Sequence, residues 1–231
     1  MNLQEDLGQR LQQKPILLMT HLVLGYPSLE TNREVIRQMA ENGVDCIELQ
    51  IPFSEPIADG PIILKGNQDA LAAGIRVEDC FAFATAMVRE FPGVNFLFMS
   101  YYNIIFRYGL SAFITRSAEI GMKGFIVPDL PPEEGGEYLE MAADYNMAAI
   151  MFFTPTSTDE RMVEVAGQGG GFIYCVARRG VTGEHTEMDH NLGEYLDRCW
   201  QATDLPLAVG FGIGSRADVA MLEGKADMAA I

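Results

Sequence analysis

The sequence predicts an α/β protein, a single-domain (β/α)8 barrel of the TIM type. Three observations predict it. Eight short apolar runs alternate with segments of helical period along the whole chain. The runs are near-continuous rather than polar at every second residue, which is the pattern of parallel strands covered on both faces. No linker or low-complexity stretch divides the 231 residues, a length that one such barrel fills.

The elements follow in order. Residues 17–24 form the first strand, and 29–42 the first helix, with Ser28 as N-cap and Gly43 as stop. Residues 44–51 form the second strand and lead into a Pro- and Gly-rich loop. Helix 77–91, strand 95–101 and helix 110–120 come next, the last opened by Ser111 and stopped by Gly121. Strand 124–130, helix 132–145, strand 148–154 and helix 159–166 follow, with Thr158 as a cap. Strand 172–177, helix 191–201, strand 206–212, helix 216–222 and strand 227–231 complete the alternation, with Ser215 and Gly224 bounding the last helix. The chain stops on the eighth strand without its helix, so the expectation is a barrel truncated there. An open doubly wound sheet is the alternative, but no βα turn carries the G-x-G-x-x-G fingerprint.

Composition excludes several function classes. The net charge of −16 repels nucleic acid and anionic membrane, and no basic patch offsets it. No apolar run is long enough to span a bilayer, and Glu5, Asp6, Arg10 and Lys14 break the first twenty residues, unlike a secretory signal. Cys46, Cys80, Cys175 and Cys199 are scattered without C-x-x-C spacing, as expected of reduced thiols in a cytoplasmic protein.

Barrel chemistry sits at the carboxyl ends of the strands. Glu48 is an ionisable residue inside an apolar strand, where burial raises a carboxyl pKa into the range of proton shuttling. The structural alternative is a carboxylate paired with an arginine. Asp59 lies eleven residues on, in the loop after that strand; taken alone it reads first as a turn-forming Asp before Gly.

The run Glu48-Leu49-Gln50-Ile51-Pro52-Phe53-Ser54-Glu55-Pro56-Ile57-Ala58-Asp59-Gly60-Pro61 closely resembles the signature of the tryptophan synthase α subunit family, which normally carries Asp in place of Glu55. The resemblance extends from Pro15 to Ile231. It takes in Leu24-Gly25-Tyr26-Pro27, the turn at Tyr101 to Asn103, Pro128-Asp129-Leu130-Pro131, Arg178-Arg179-Gly180-Val181-Thr182-Gly183 and Gly210-Phe211-Gly212-Ile213.

The resemblance implies retro-aldol cleavage of indole-3-glycerol phosphate to indole and glyceraldehyde 3-phosphate. It makes Glu48 the general acid/base and Asp59 the carboxylate that binds the indole N–H. Tyr174 matches a family tyrosine near the glutamate. His21 stands where the family often has phenylalanine; it either lines the pocket or is a buried histidine satisfied by the backbone. Met99 and Phe211 match pocket positions, and Asp129 either touches substrate or fixes its turn. The phosphate falls to Thr182 and Gly183 and to the glycine-rich turn Gly210, Gly212, Gly214 and Ser215, where a helix N-terminus can face an anion. Ser215 with Asp218 is equally an ordinary cap. The family's last phosphate element would lie just beyond Ile231.

Residues 178–193 read as a lid, the alternative being a disordered acidic loop. His185 and His190 within it lack metal-ligand spacing, so no metal is expected. The family works without a cofactor in this chain, beside a β subunit that carries pyridoxal phosphate, in an α2β2 assembly. A weakly catalytic, indole-delivering partner is the second reading. Lys14, Lys65, Lys123 and Lys225 all miss the strand ends, which argues against a Schiff-base aldolase.

Overall fold

The computed structural model describes residues 1–176, 190–210 and 212–231, with the side chains of 190 and 191 outside the description. Eight parallel strands close into a barrel in sequence order. They are β1 (Leu17–Val23), β2 (Cys46–Gln50), β3 (Asn95–Met99), β4 (Gly124–Ile126), β5 (Ala148–Phe153), β6 (Ile173–Val176), β7 (Leu207–Gly210) and β8 (Met228–Ala230). Closure is the pairing of β8 with β1, Met228 against Leu17.

The helices are α1 (Leu3–Leu11), α2 (Leu29–Glu41), α3 (Pro61–Ala72), α4 (Val77–Glu90), α5 (Tyr102–Tyr108), α6 (Leu110–Ile120), α7 (Gly136–Asp144), α8 (Asp159–Ala166), α9 (His190–Ala202) and α10 (Arg216–Leu222). Three of them, α1, α3 and α5, were not expected. Each has a local cause. In α1, Asn2 and Glu5 form a reciprocal capping box. Pro61 starts α3 at its first turn, where its missing N–H costs nothing. At α5, the Tyr102 N–H is held by Asp129.

Caps fall where expected at Ser28, Thr158 and Ser215, each accepting a backbone N–H in the first turn. Ser111 is corrected: α6 starts at residue 110 as expected, but its N-cap is Gly109, two residues before Ser111; the Gly109 φ of 98° suits glycine and turns the chain sharply out of α5. The segment 132–145 splits into a 3-10 turn (Pro132–Glu134) and α7. The strands are shorter than their apolar runs. Residues 127–130, for example, lie beyond β4, because loop side chains at the barrel mouth are buried too.

Successive strand residues point to opposite sides, and two cores result. Ile47, Leu49, Phe96, Phe98, Ala149, Met151, Leu207 and Val209 face outward and pack on the helices with Ile36, Phe81, Phe113 and Ile114. Met19, Cys46, Leu97, Met99, Ile126, Ile150, Ala208 and Met228 fill the barrel interior. Leu3 and Leu7 of α1 join that interior core and close the amino-terminal end. Below it, buried Asp45 accepts from Lys14 (2.8 Å), Arg10 (3.3 Å) and the Leu18 N–H (3.0 Å). The bottom of the barrel is thus a packed, ion-paired plug, and the open end is the carboxyl end.

Candidate active site

Because Ile47 and Leu49 point outward, Glu48 between them points into the barrel. It lines a cavity of about 460 Å³ at the carboxyl end, shared with Asp59, His21, Met99, Tyr174 and the turn Gly212-Ile213-Gly214. Ile62, Ile63, Ile126, Phe152 and Ile231 supply apolar wall. This is the size and character of a small-molecule site: mostly apolar, with a few convergent polar groups.

Glu48 is 7% exposed, and among the described residues no side chain pairs with its carboxylate. The arginine partner of the structural alternative is absent there. Burial pushes the Glu48 carboxyl up to about 8, and the charge of Asp59 adds to the shift. The carboxyl therefore keeps its proton at neutral pH.

Asp59 hangs from the loop between β2 and α3, which three contacts pin to the barrel. Phe53 N–H donates to Asn67 Oδ1 (2.9 Å), Ala58 N–H to the Tyr101 hydroxyl (3.0 Å), and Gln50 Nε2 to Asp59 Oδ2 (2.6 Å). The Tyr101 ring stacks on Phe53 at 5.1 Å. Burial raises the Asp59 carboxyl, while hydrogen bonds from Gln50 and Tyr101 pull it back toward ionisation. The two carboxyls thus sit in different environments, one apolar and one furnished with donors, as separate acid and anion tasks require.

Tyr174 on β6 lies against Phe152, ring centroids 5.4 Å apart. Burial lifts its hydroxyl well above the ordinary tyrosine range, with Glu48 and Asp59 adding to the effect. His21 is opposite Glu48 in the β1–β2 register. It both lines the cavity and is satisfied, with the partner a side chain rather than the backbone: its Nε2 lies 2.6 Å from Gln50 Oε1. Burial lowers its pKa to about 4, so the ring is neutral.

Several expected site residues are used elsewhere. Asp129 does not line the cavity; both its oxygens take the Tyr102 N–H and start α5. Gly210 also lies off the cavity surface. A Cβ there would meet the Tyr174 hydroxyl at 2.3 Å and its ring at 2.4 Å, so the glycine makes room for the tyrosine. The turn at α10 shows the capping alternative. The N–H groups of Gly214 (3.0 Å) and Ser215 (2.8 Å) donate to Asp218 Oδ2, and the Ser215 hydroxyl accepts from Asp218 N–H. The capping box occupies the N–H groups of Gly214 and Ser215, while those of Gly212 and Ile213 take no acceptor among the described residues. Thr182, Gly183, Phe211 and the lid up to residue 189, His185 included, lie outside the described residues, as does the His190 side chain.

Gln50 and Tyr101 were not singled out as site residues. For Gln50 a signal exists: it is a polar residue in an apolar strand, two positions after Glu48 and hence on the same inward face. Among the described residues there is no cluster of metal-ligating side chains, and no helix is long and apolar enough to cross a membrane.

Comparison with known proteins agrees with this geometry. The family model described as tryptophan synthase alpha chain matches residues 7–231. The chain is 59% identical to the tryptophan synthase alpha chain of Desulfotalea psychrophila over 231 residues, covering 100% of this chain and 91% of that one. It is 54% identical to the alpha chain of Desulforapulum autotrophicum, covering 99% and 90%. Among solved structures, Mycobacterium tuberculosis tryptophan synthase superposes with a TM-score of 0.90 at 30% identity, covering 99% of this chain and 87% of that one. The Campylobacter jejuni alpha subunit gives 0.83 at 32%, covering 94% and 87%. With the barrel, the paired carboxyls and these matches together, the chain belongs to the tryptophan synthase alpha chain family.

Proposed function

We propose that this chain is the lyase of the α reaction, cleaving indole-3-glycerol phosphate into indole and glyceraldehyde 3-phosphate in tryptophan biosynthesis. The observation that carries the reading is Glu48: a buried carboxyl with no side-chain partner among the described residues, protonated at neutral pH, in one cavity with Asp59, whose carboxyl is furnished with donors. The protonated Glu48 delivers its proton to indole C3. Positive charge develops on the ring nitrogen, and Asp59 accepts the N–H and stabilises it. Glu48, now a carboxylate, takes the proton of the glycerol hydroxyl next to the scissile bond. As that oxygen becomes the aldehyde carbonyl, the C–C bond breaks and its electrons return to the ring. The proton count on Glu48 closes over one turnover.

Tyr174, Met99, Ile126 and Phe152 form the apolar wall against which an aromatic ring packs. The phosphate is assigned to the Gly212-Ile213-Gly214 turn together with Thr182 and Gly183. With Asp218 on the Gly214 and Ser215 N–H groups, anion binding there asks that carboxylate to move or leaves the work to Gly212 and Ile213.

A β subunit is the assigned partner, in an α2β2 assembly. Exposed apolar side chains support a protein partner: Ile57 at the cavity rim loop is 73% exposed, and Phe106 on α5 68%. Solved neighbours include a tryptophan synthase complex from Pyrococcus furiosus. Four free buried cysteines fit a reducing, cytoplasmic setting.

The test is indole release from indole-3-glycerol phosphate by the isolated chain, repeated with a β subunit added. Indole formation by the chain alone supports the lyase reading. Formation of none under either condition removes it.

A further inference from the structure

The inner face of β2 carries a second buried polar residue just above the acid. Gln50 is 0% exposed, and both ends of its amide are engaged. Oε1 is 2.6 Å from His21 Nε2, and Nε2 is 2.6 Å from Asp59 Oδ2. The chemistry of the three groups fixes every proton in this chain. The carboxylate only accepts, so the amide must present its NH2 to Asp59. Its carbonyl is then turned to His21, which must carry its proton on Nε2. A flipped amide would set one oxygen against another across 2.6 Å.

We propose that Gln50, locked by His21, is a positioning residue that holds the Asp59 carboxylate aimed into the cavity. The proposal rests on the catalytic reading of Asp59. The case is geometric. Asp59 sits outside any strand or helix, in a turn rich in proline and glycine, so its backbone does not by itself fix its carboxylate. Gln50 belongs to β2, whose backbone is bonded on both sides to β1 and β3. The amide transfers that rigidity to the loop. His21, on β1 and part of the cavity lining, stops the amide from turning and brings no charge with it. Among the described residues, the titratable groups facing Asp59 are Glu48 from β2, Tyr101 from the end of β3 and Tyr174 from β6. Among the described donors to Asp59, the Gln50 amide is one that does not titrate.

The experiment measures kcat and KM for indole formation across pH in Gln50→Leu, Gln50→Met, His21→Phe, Asp59→Asn and the double variant Gln50→Leu/Asp59→Asn, with thermal unfolding to show that each is folded. The two Gln50 variants serve as alternates if one fails to fold. The expected result for Gln50→Leu is a fall in kcat of about 10- to 100-fold with KM within about threefold. Its acid limb, where Asp59 takes up a proton, should move up by about one pH unit because a donor to the anion is gone. His21→Phe should show the same changes in weaker form. The double variant should be no worse than Asp59→Asn, since Gln50 acts through that carboxylate. A severe Asp59→Asn beside folded Gln50 variants of normal kcat and acid limb overturns the Gln50 proposal alone, as does full additivity in the double variant. A near-normal Asp59→Asn overturns the reading of Asp59 and this proposal with it.

Discussion

Glu48 and Asp59 open into one cavity, and the charge on Asp59 adds to burial in holding the proton on Glu48. The acid of the proposed cycle is therefore coupled to its anion: Glu48 holds its proton partly because Asp59 is there. Two like groups near each other do not ionise together, and the environment decides which keeps the proton. Here burial, with no side-chain partner among the described residues, keeps the proton on Glu48, while at Asp59 hydrogen bonds from Gln50 and Tyr101 offset part of the rise that burial causes.

That coupling gives the first prediction. Proton delivery needs protonated Glu48, so kcat/KM should fall as pH rises through about 8. Asp59→Asn removes the neighbouring charge, which lowers the Glu48 pKa and moves this basic limb to lower pH. The same variant should lose roughly 100-fold in kcat with a smaller change in substrate affinity, because it stabilises charge that develops during reaction. A pH–rate series on both proteins checks it; an unmoved limb contradicts the coupling.

Stability should carry the mark of the same group. A carboxyl whose folded pKa lies above its unfolded value stabilises fully below the unfolded pKa and less as pH rises toward the folded one. For Glu48 the window runs from about 4.5 to about 8. Glu48→Gln cannot ionise, so at pH 8 it should be more stable than the parent, by on the order of 2–4 kcal/mol, and the gain should vanish below pH 4.5. Thermal melts at several pH values measure this. A variant less stable at pH 8 would show that the carboxylate is well satisfied in the fold.

Gly210 lies under Tyr174, and a Cβ would meet the ring at 2.4 Å. Gly210→Ala should therefore cost about 1–3 kcal/mol of stability and displace the tyrosine into the cavity. Activity should fall at least tenfold, with KM affected as well as kcat, since the ring bounds the substrate space. Normal kinetics in this variant would mean that the ring shifts freely.

Much of the fold is legible in the sequence because burial on both faces writes strands as apolar runs, and eight of them are visible. Their ends are not legible. Apolar residues such as Val127 continue past β4 because the barrel mouth is lined as well as the wall. The helices α1, α3 and α5 escape because they cover cavities and ends rather than one continuous sheet face, so caps and Pro61 mark them more than periodicity does.

Of the site, Glu48 is legible as an acid in an apolar strand, and Asp59 through its surrounding motif. Asp129, Gly210 and Ser215 show the limit of motif reading. They stand in the right turns, and in this structure their groups serve α5, Tyr174 and the α10 cap, for Asp129 and Ser215 the alternatives that the sequence also allows. Gln50 is the reverse case, a residue with no motif to point to it and a place at the centre of a hydrogen-bonded chain.

The central claim is that one proton on Glu48 does the chemistry. The most direct measurement is indole formation by Glu48→Gln alongside equilibrium binding of indole-3-glycerol phosphate, since the substitution keeps the shape and removes the acid. The account predicts a loss of at least about 1,000-fold in kcat with binding within about threefold of the parent. Turnover within tenfold of the parent, in a folded variant that binds substrate normally, would contradict it.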